Sequence, residues 1–204
     1  MTLVNPAGRA AGPGTVDALR SLAEASYTVA AEALGDAEAW LGYRALAQLS
    51  GHLAVVRRAV CPVAGRRLGR DGSLAAACRA EALRAEWALR LFECWLAGDA
   101  QAVRFPAETV QALLEERLGS YRTAERALLA RLADRIPHAE HARLAQQYRA
   151  LLAAAPTRPH PRSPRAGQFG RLAFRLQGLW DRVLDTMDSR PGRTPDATAR
   201  SLTR

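Results

Sequence analysis

Tyr121 and Glu125 stand one helical turn apart in the run Tyr121-Arg122-Thr123-Ala124-Glu125, which sets a phenol and a carboxylate on the same face of any helix formed there. Val110, Leu114, Leu118, Leu128 and Leu132 continue that face in steps of three and four residues, so Glu125 falls inside an apolar seam. A carboxylate in such a place is costly unless it is paired, protonated or bound to a metal. The plain expectation is an Arg from a neighbouring helix, or a position at the seam's edge, with the Tyr121 hydroxyl bonded to the carboxylate or to backbone. The sharper one is a metal centre. His52 flanks a second apolar row beside Leu53, and His141 precedes Leu144 by a turn on a third. His52, Tyr121, Glu125 and His141 are the residues whose types and positions suit a metal held between helices, with iron or zinc as the cofactor. Against this, the first reading of His52 is a boundary or core histidine with one hydrogen bond, and His138 and His141 read as residues serving a helix start.

Other chemistries find no support. The chain has no Gly-rich phosphate loop, no Gly-x-Ser-x-Gly elbow, no Cys-x-x-Cys pair and no His-Glu-x-x-His run. In Pro137-His138-Ala139-Glu140-His141 the histidines are three apart, and nothing completes a zinc site. Cys61, Cys78 and Cys94 make an odd number without paired spacing, which argues against a disulfide framework and for a reducing cytoplasm. The first residues lack the pattern of a secretory signal, and no apolar run approaches the roughly 18 residues of a membrane span. The expectation is a soluble cytoplasmic protein that is not an enzyme.

Helices must position these side chains. Hydrophobic residues are 49% of the 204 but aromatics only 6%, so the core is built from Leu, Ala and Val, as in close-packed helices. Residues 1–14 hold two Pro and three Gly and read as a loose arm. Helices are expected over 15–34, from 36 to a kink or stop at Pro62, over 73–97, 107–135 and 138–155, which together make one bundle domain over 15–155. The third shows two apolar rows, one through Cys78, Ala82, Ala85, Leu89, Phe92 and Leu96, the other through Leu83, Trp87, Leu91 and Trp95; so wide an arc implies more than one packing neighbour. Four prolines between 155 and 164 make 156–167 an extended strap. A sixth, amphipathic helix follows over 168–188, with Leu172, Leu176, Leu179, Trp180, Val183 and Met187 on its apolar side, and 189–204 reads as a disordered tail. That helix is expected to dock its apolar side on the bundle; an interfacial membrane anchor is the alternative. No strand alternation and no internal repeat is present. The fold class is all-α.

Two stretches are similar to the hemerythrin-like (HHE cation-binding) domain proteins common in actinobacteria. They are Gly51-His52-Leu53-Ala54-Val55-Val56-Arg57-Arg58-Ala59-Val60-Cys61-Pro62 and Leu118-Gly119-Ser120-Tyr121-Arg122-Thr123-Ala124-Glu125-Arg126-Ala127-Leu128-Leu129. The segments 155–161 and 181–188 resemble the ending of some such proteins. The resemblance implies an antiparallel four-helix core with extra terminal helices, and His-x-x-x-Glu pairs that hold two irons. Here each pair is half kept: Val56 stands in the Glu position after His52, and Tyr121 in the His position before Glu125. Four His in the whole chain fall short of the family's imidazole set. The implied protein is a hemerythrin-like bundle with reduced or lost di-iron binding that acts as a structural or protein-interaction module. A residual iron or zinc site with redox or O₂-sensing chemistry is the alternative.

Charge offers a third reading. All 29 basic residues are Arg, and the formal net charge is +9. Residues 35–70 carry six Arg against two acids, and 156–204 ten against four. A solvated Arg-rich surface accounts for this; an Arg-rich regulator touching nucleic-acid phosphates through Arg57, Arg58, Arg66, Arg67, Arg70 and the tail is the functional version.

Overall fold

The computed structural model describes residues 23–25, 27, 39–69, 72–161 and 167–188, with the side chains of all of these except 39–41 and 167–172. The expected arm, most of the first helix, part of the strap and the tail lie outside the described residues. Residues 23–25 and 27 are helical. The remaining elements are α1 (Ala39–Val55), a π-helical turn (Val56–Val60), α2 (Cys61–Arg67), α3 (Gly72–Leu96), a short 3₁₀ turn (Ala102–Arg104), α4 (Ala107–Ala133), α5 (His138–Ala153) and α6 (Gly167–Met187). Among the described residues there is no strand.

Pro62 does not end the helix. It has no N–H for the Arg58 carbonyl, and its ring crowds that carbonyl. The turn before it widens, the Cys61 N–H bonding back five residues to the Val56 oxygen, and α2 then runs on to Arg67. Gly98 closes α3. At φ 71° it takes the left-handed conformation that glycine adopts without strain, and the Gly98 and Asp99 amides return to the carbonyls of Trp95 and Cys94. The Asp99 carboxylate then accepts the amides of Gln101 and Ala102 to start the 3₁₀ turn.

One core runs through the molecule, with α3 and α4 its most extensive helix pair and α1, α2 and α5 packed around them. Leu49, Leu53, Leu89, Leu114, Leu128 and Leu132 are fully enclosed. The seam expected on α4 is buried throughout except for Leu118, which is half-buried. On α3 the first expected row is buried from Cys78 to Phe92, with Leu96 half-buried. The second gives way: Trp87 is exposed, and Glu86 and Glu93 face inward, two turns apart. They are answered by cations. Arg57 reaches Glu86, and Arg90 lies 2.5 Å from Glu93. A helix rich in Ala can turn an acid inward where a neighbour brings an Arg, and hydrophobic spacing does not register that choice.

Candidate polar centre

Five side chains from four places in the chain meet inside the core. Tyr27 comes from the first helical segment, His52 from α1, Tyr121 and Glu125 from α4, and Tyr148 from α5. All five are buried, Tyr27 the least completely. The Tyr27 hydroxyl donates to Glu125 Oε2 at 2.9 Å, and the Tyr121 hydroxyl donates to Oε1 at 3.1 Å. His52 Nε2 lies 3.1 Å from Oε1 and 3.3 Å from Oε2. Its other nitrogen, Nδ1, is 2.5 Å from the Tyr148 hydroxyl. One proton assignment satisfies every atom: Tyr148 O–H donates to Nδ1, Nε2–H donates to Glu125, and the two remaining phenols donate to the same carboxylate. The Tyr27 and Tyr121 rings stand edge-on to His52, with centroids 5.3 and 5.8 Å away.

Local sequence explains the convergence. Ala23 and Tyr27 are one turn apart and both buried, so the first segment lays that face on the core. Glu24, beside it, is held by Arg126 at 2.8 Å and by Arg122, and the Arg122 guanidinium sits 4.9 Å from the Tyr27 ring centroid. Burial works to raise the Glu24 pKa, but the hydrogen bonds and charges of Arg126 and Arg122 outweigh it and hold this carboxyl below its ordinary value. Burial first, and then the Glu125 charge, push the Tyr27 and Tyr121 phenols well above theirs. Both phenols therefore stay protonated donors. Beside this centre, Cys61 and Cys78 are buried and their thiols share a hydrogen bond, which together with burial pushes Cys78 up.

The structure brings together His52, Tyr121 and Glu125 and leaves His141 apart. His141 precedes Tyr148 by two turns on α5, about 10 Å along the axis, and is enclosed with neither ring nitrogen hydrogen-bonded among the described residues. The expectation that an Arg from a neighbouring helix answers Glu125 is corrected: the neighbouring elements bring His52 and Tyr27 to it, its own helix brings Tyr121, and these donors meet both of its oxygens. His52 also exceeds its plain reading, since both of its nitrogens are engaged. The short cluster at 137–141 disperses, Glu140 turning out to Arg67 at 2.8 Å and His138 lying exposed. Tyr27 and Tyr148 were not legible as members. Their one signal is that each lies on the buried row of its own helix, which gives burial but not a hydroxyl's partner.

The di-iron group that the resemblance implies does not fit this donor set. A centre of that kind needs about five or more His and carboxylate ligands on facing helices, rich in imidazole. Here one imidazole and one carboxylate converge, already bonded to each other, with phenols that keep their protons. Val56, buried on the π turn, occupies the place of the missing acid. Among the described residues no three His, Cys, Asp or Glu side chains are grouped to hold a metal.

A second polar junction joins the strap to α6. Asp181 Oδ2 accepts the main-chain amides of Thr157 and Arg158, each at 3.0 Å, and His160 Nε2 lies 3.0 Å from both Asp181 oxygens. Asp185 takes the Thr157 hydroxyl at 2.5 Å and Arg158 Nε at 3.1 Å, and Asp188 takes Arg158 Nη2 at 2.7 Å. Asp181 and Asp185 are buried. The sixth helix thus docks through its acidic side, contrary to the expectation that its apolar side would be covered. The acids win because the strap offers each of them specific donors. Of the arginines read as phosphate contacts, Arg57 is committed to buried Glu86, Arg67 pairs with Glu140, and Arg58 stacks over the Phe174 ring at 5.0 Å; Arg70 lies outside the described residues. No helix among the described residues is long and apolar enough to cross a membrane. No family model matches the chain, and neither a curated protein nor a solved structure does.

Proposed function

We propose that this chain is a hemerythrin-like helical bundle whose di-iron position has been closed by hydrogen bonds, and that it works as a structural or protein-interaction module without catalysis. The observation that carries the reading is the direct contact of His52 with Glu125, with every remaining polar atom of the pair met by a tyrosine hydroxyl. A carboxylate that in a metal site would face a cation instead receives three donors from two other elements and its own helix. That arrangement fixes the first helical segment, α1, α4 and α5 relative to one another, which is what an interaction scaffold requires. The antiparallel four-helix arrangement belongs to this proposal.

The test is metal content per chain after expression with supplemented iron, compared with Glu125→Ala. The expected result is far less than one iron or zinc per chain, with a melting temperature indifferent to chelator. Stoichiometric metal that disappears in Glu125→Ala would overturn the reading. It would favour the alternative, a metal-binding redox or O₂-sensing protein, for which the unpaired nitrogens of enclosed His141 are the specific support.

A further inference from the structure

We infer that α6 is a peripheral membrane-binding helix, presented apolar side outward to an anionic lipid surface. Leu176, Leu179, Trp180, Val183 and Met187 are 54%, 61%, 62%, 44% and 75% exposed, and they form one continuous stripe. An amphipathic helix left to hydrophobic burial alone would turn this stripe onto the core. Here the opposite face is locked down. Asp181 is 1% exposed with three donors on it, Phe174 is buried, and Arg182 bonds the carbonyls of Gly178 and, from α5, Ala153. The outward orientation is thus built by named contacts on the inner face.

Charge and area select the occupant. Arg175, exposed, lies along one flank of the stripe, and the sequence after the helix, residues 188–204, carries Arg190, Arg193, Arg200 and Arg204 against Asp188, which is paired with Arg158, and Asp196. An apolar stripe with Trp beside it and a basic stretch following are the two signals that together hold a peripheral protein on anionic lipid. A second copy fits less well. The five side chains expose on the order of 500 Å², short of the roughly 800 Å² per partner of a stable dimer, and pairing would bring together two chains of net charge +9 with their Arg-rich ends. Nucleic acid matches the arginines and leaves the stripe in water. The inference is independent of how Glu125 is answered, since no residue of the polar centre takes part.

The experiment is co-sedimentation of the full chain with phosphatidylcholine vesicles and with vesicles containing phosphatidylglycerol, for the parent, Leu179→Gln/Trp180→Gln and Arg175→Glu. All three positions are exposed, and unchanged far-UV circular dichroism verifies folding. The parent should bind the anionic vesicles and largely ignore the neutral ones, with binding that falls as salt rises. The double variant should partition at least about tenfold more weakly, and Arg175→Glu by a smaller factor. A parent that stays in the supernatant with anionic vesicles overturns the inference, as does a double variant that binds like the parent. A dimer in light scattering that the double variant makes monomeric, without vesicle binding, also overturns it and assigns the stripe to a second copy.

Discussion

The polar centre and the strap junction both bury carboxylates, and they differ in where the donors come from. Glu125 is held by side chains from the first helical segment, α1 and its own helix, with α5 one bond further out through Tyr148. Asp181 and Asp185 are held by three neighbouring residues of one strap, two of them through main-chain amides. The first arrangement ties distant parts of the chain into a single unit. The second fastens one helix to the unit already formed. Buried polar contacts of similar length can therefore be global in one region and local in another, and the topology of the donors decides which.

The largest effect should come from Glu125→Ala. It leaves His52 and two phenols enclosed without an acceptor, a loss of about 3–5 kcal/mol, visible as a lower urea midpoint for the whole molecule. Asp181→Ala strips two main-chain amides and should cost about 1–3 kcal/mol. That loss should appear as faster proteolysis in the strap and faster amide exchange in α6, with the global midpoint nearly unchanged. If both variants lower the global midpoint equally, the distinction between the two regions fails.

Alkaline titration sharpens the comparison from the side of the phenols. Tyr27 and Tyr121 have folded-state pKa values raised above the unfolded value of about 10. The unfolded chain thus binds fewer protons above that pH. The stability they contribute is fully present below about pH 10 and is lost as pH rises toward the folded-state values. Phenolate absorbance should rise in step with unfolding, and Tyr27→Phe should soften the pH dependence. Smallest is the acid limb at Glu24. Its folded pKa is depressed, so its contribution is present above the unfolded value of about 4.3 and is lost as pH falls. On a partly exposed pair this amounts to under about 1 kcal/mol, and Glu24→Gln should lower the melting temperature slightly at neutral pH but not in acid.

Periodicity carried the helices well. The face of α4 that holds Tyr121 and Glu125, the inward Tyr148 and the near-exact span of α3 all follow from apolar spacing, because burying a stripe is what sets those elements. Spacing gives Tyr121 as a partner for Glu125 on its own helix but cannot name the partners across the core, which are His52 and Tyr27 in place of an Arg. It also treats every apolar stripe as one to be buried. The α6 stripe escapes that rule because three aspartates on the other side find donors in a strap, and no local pattern in 167–188 records what residues 157–160 will offer. Inward Glu86 follows the same logic, its cation lying far along the chain on Arg57, whereas Glu93 takes Arg90 from its own helix and has Arg158 of the strap at 3.9 Å.

Gly178 sets how separable the last helix is from the body. A β-carbon there would run into the Ala154 carbonyl at the end of α5, and backbone, unlike a flexible side-chain tip, has little room to yield. A single methyl group there forces α6 and the end of α5 to shift apart, while no residue of α6 belongs to the centre around Glu125. Selection can act on the docking of that helix without renegotiating the core, so the body and its outward-facing edge are free to change at different rates.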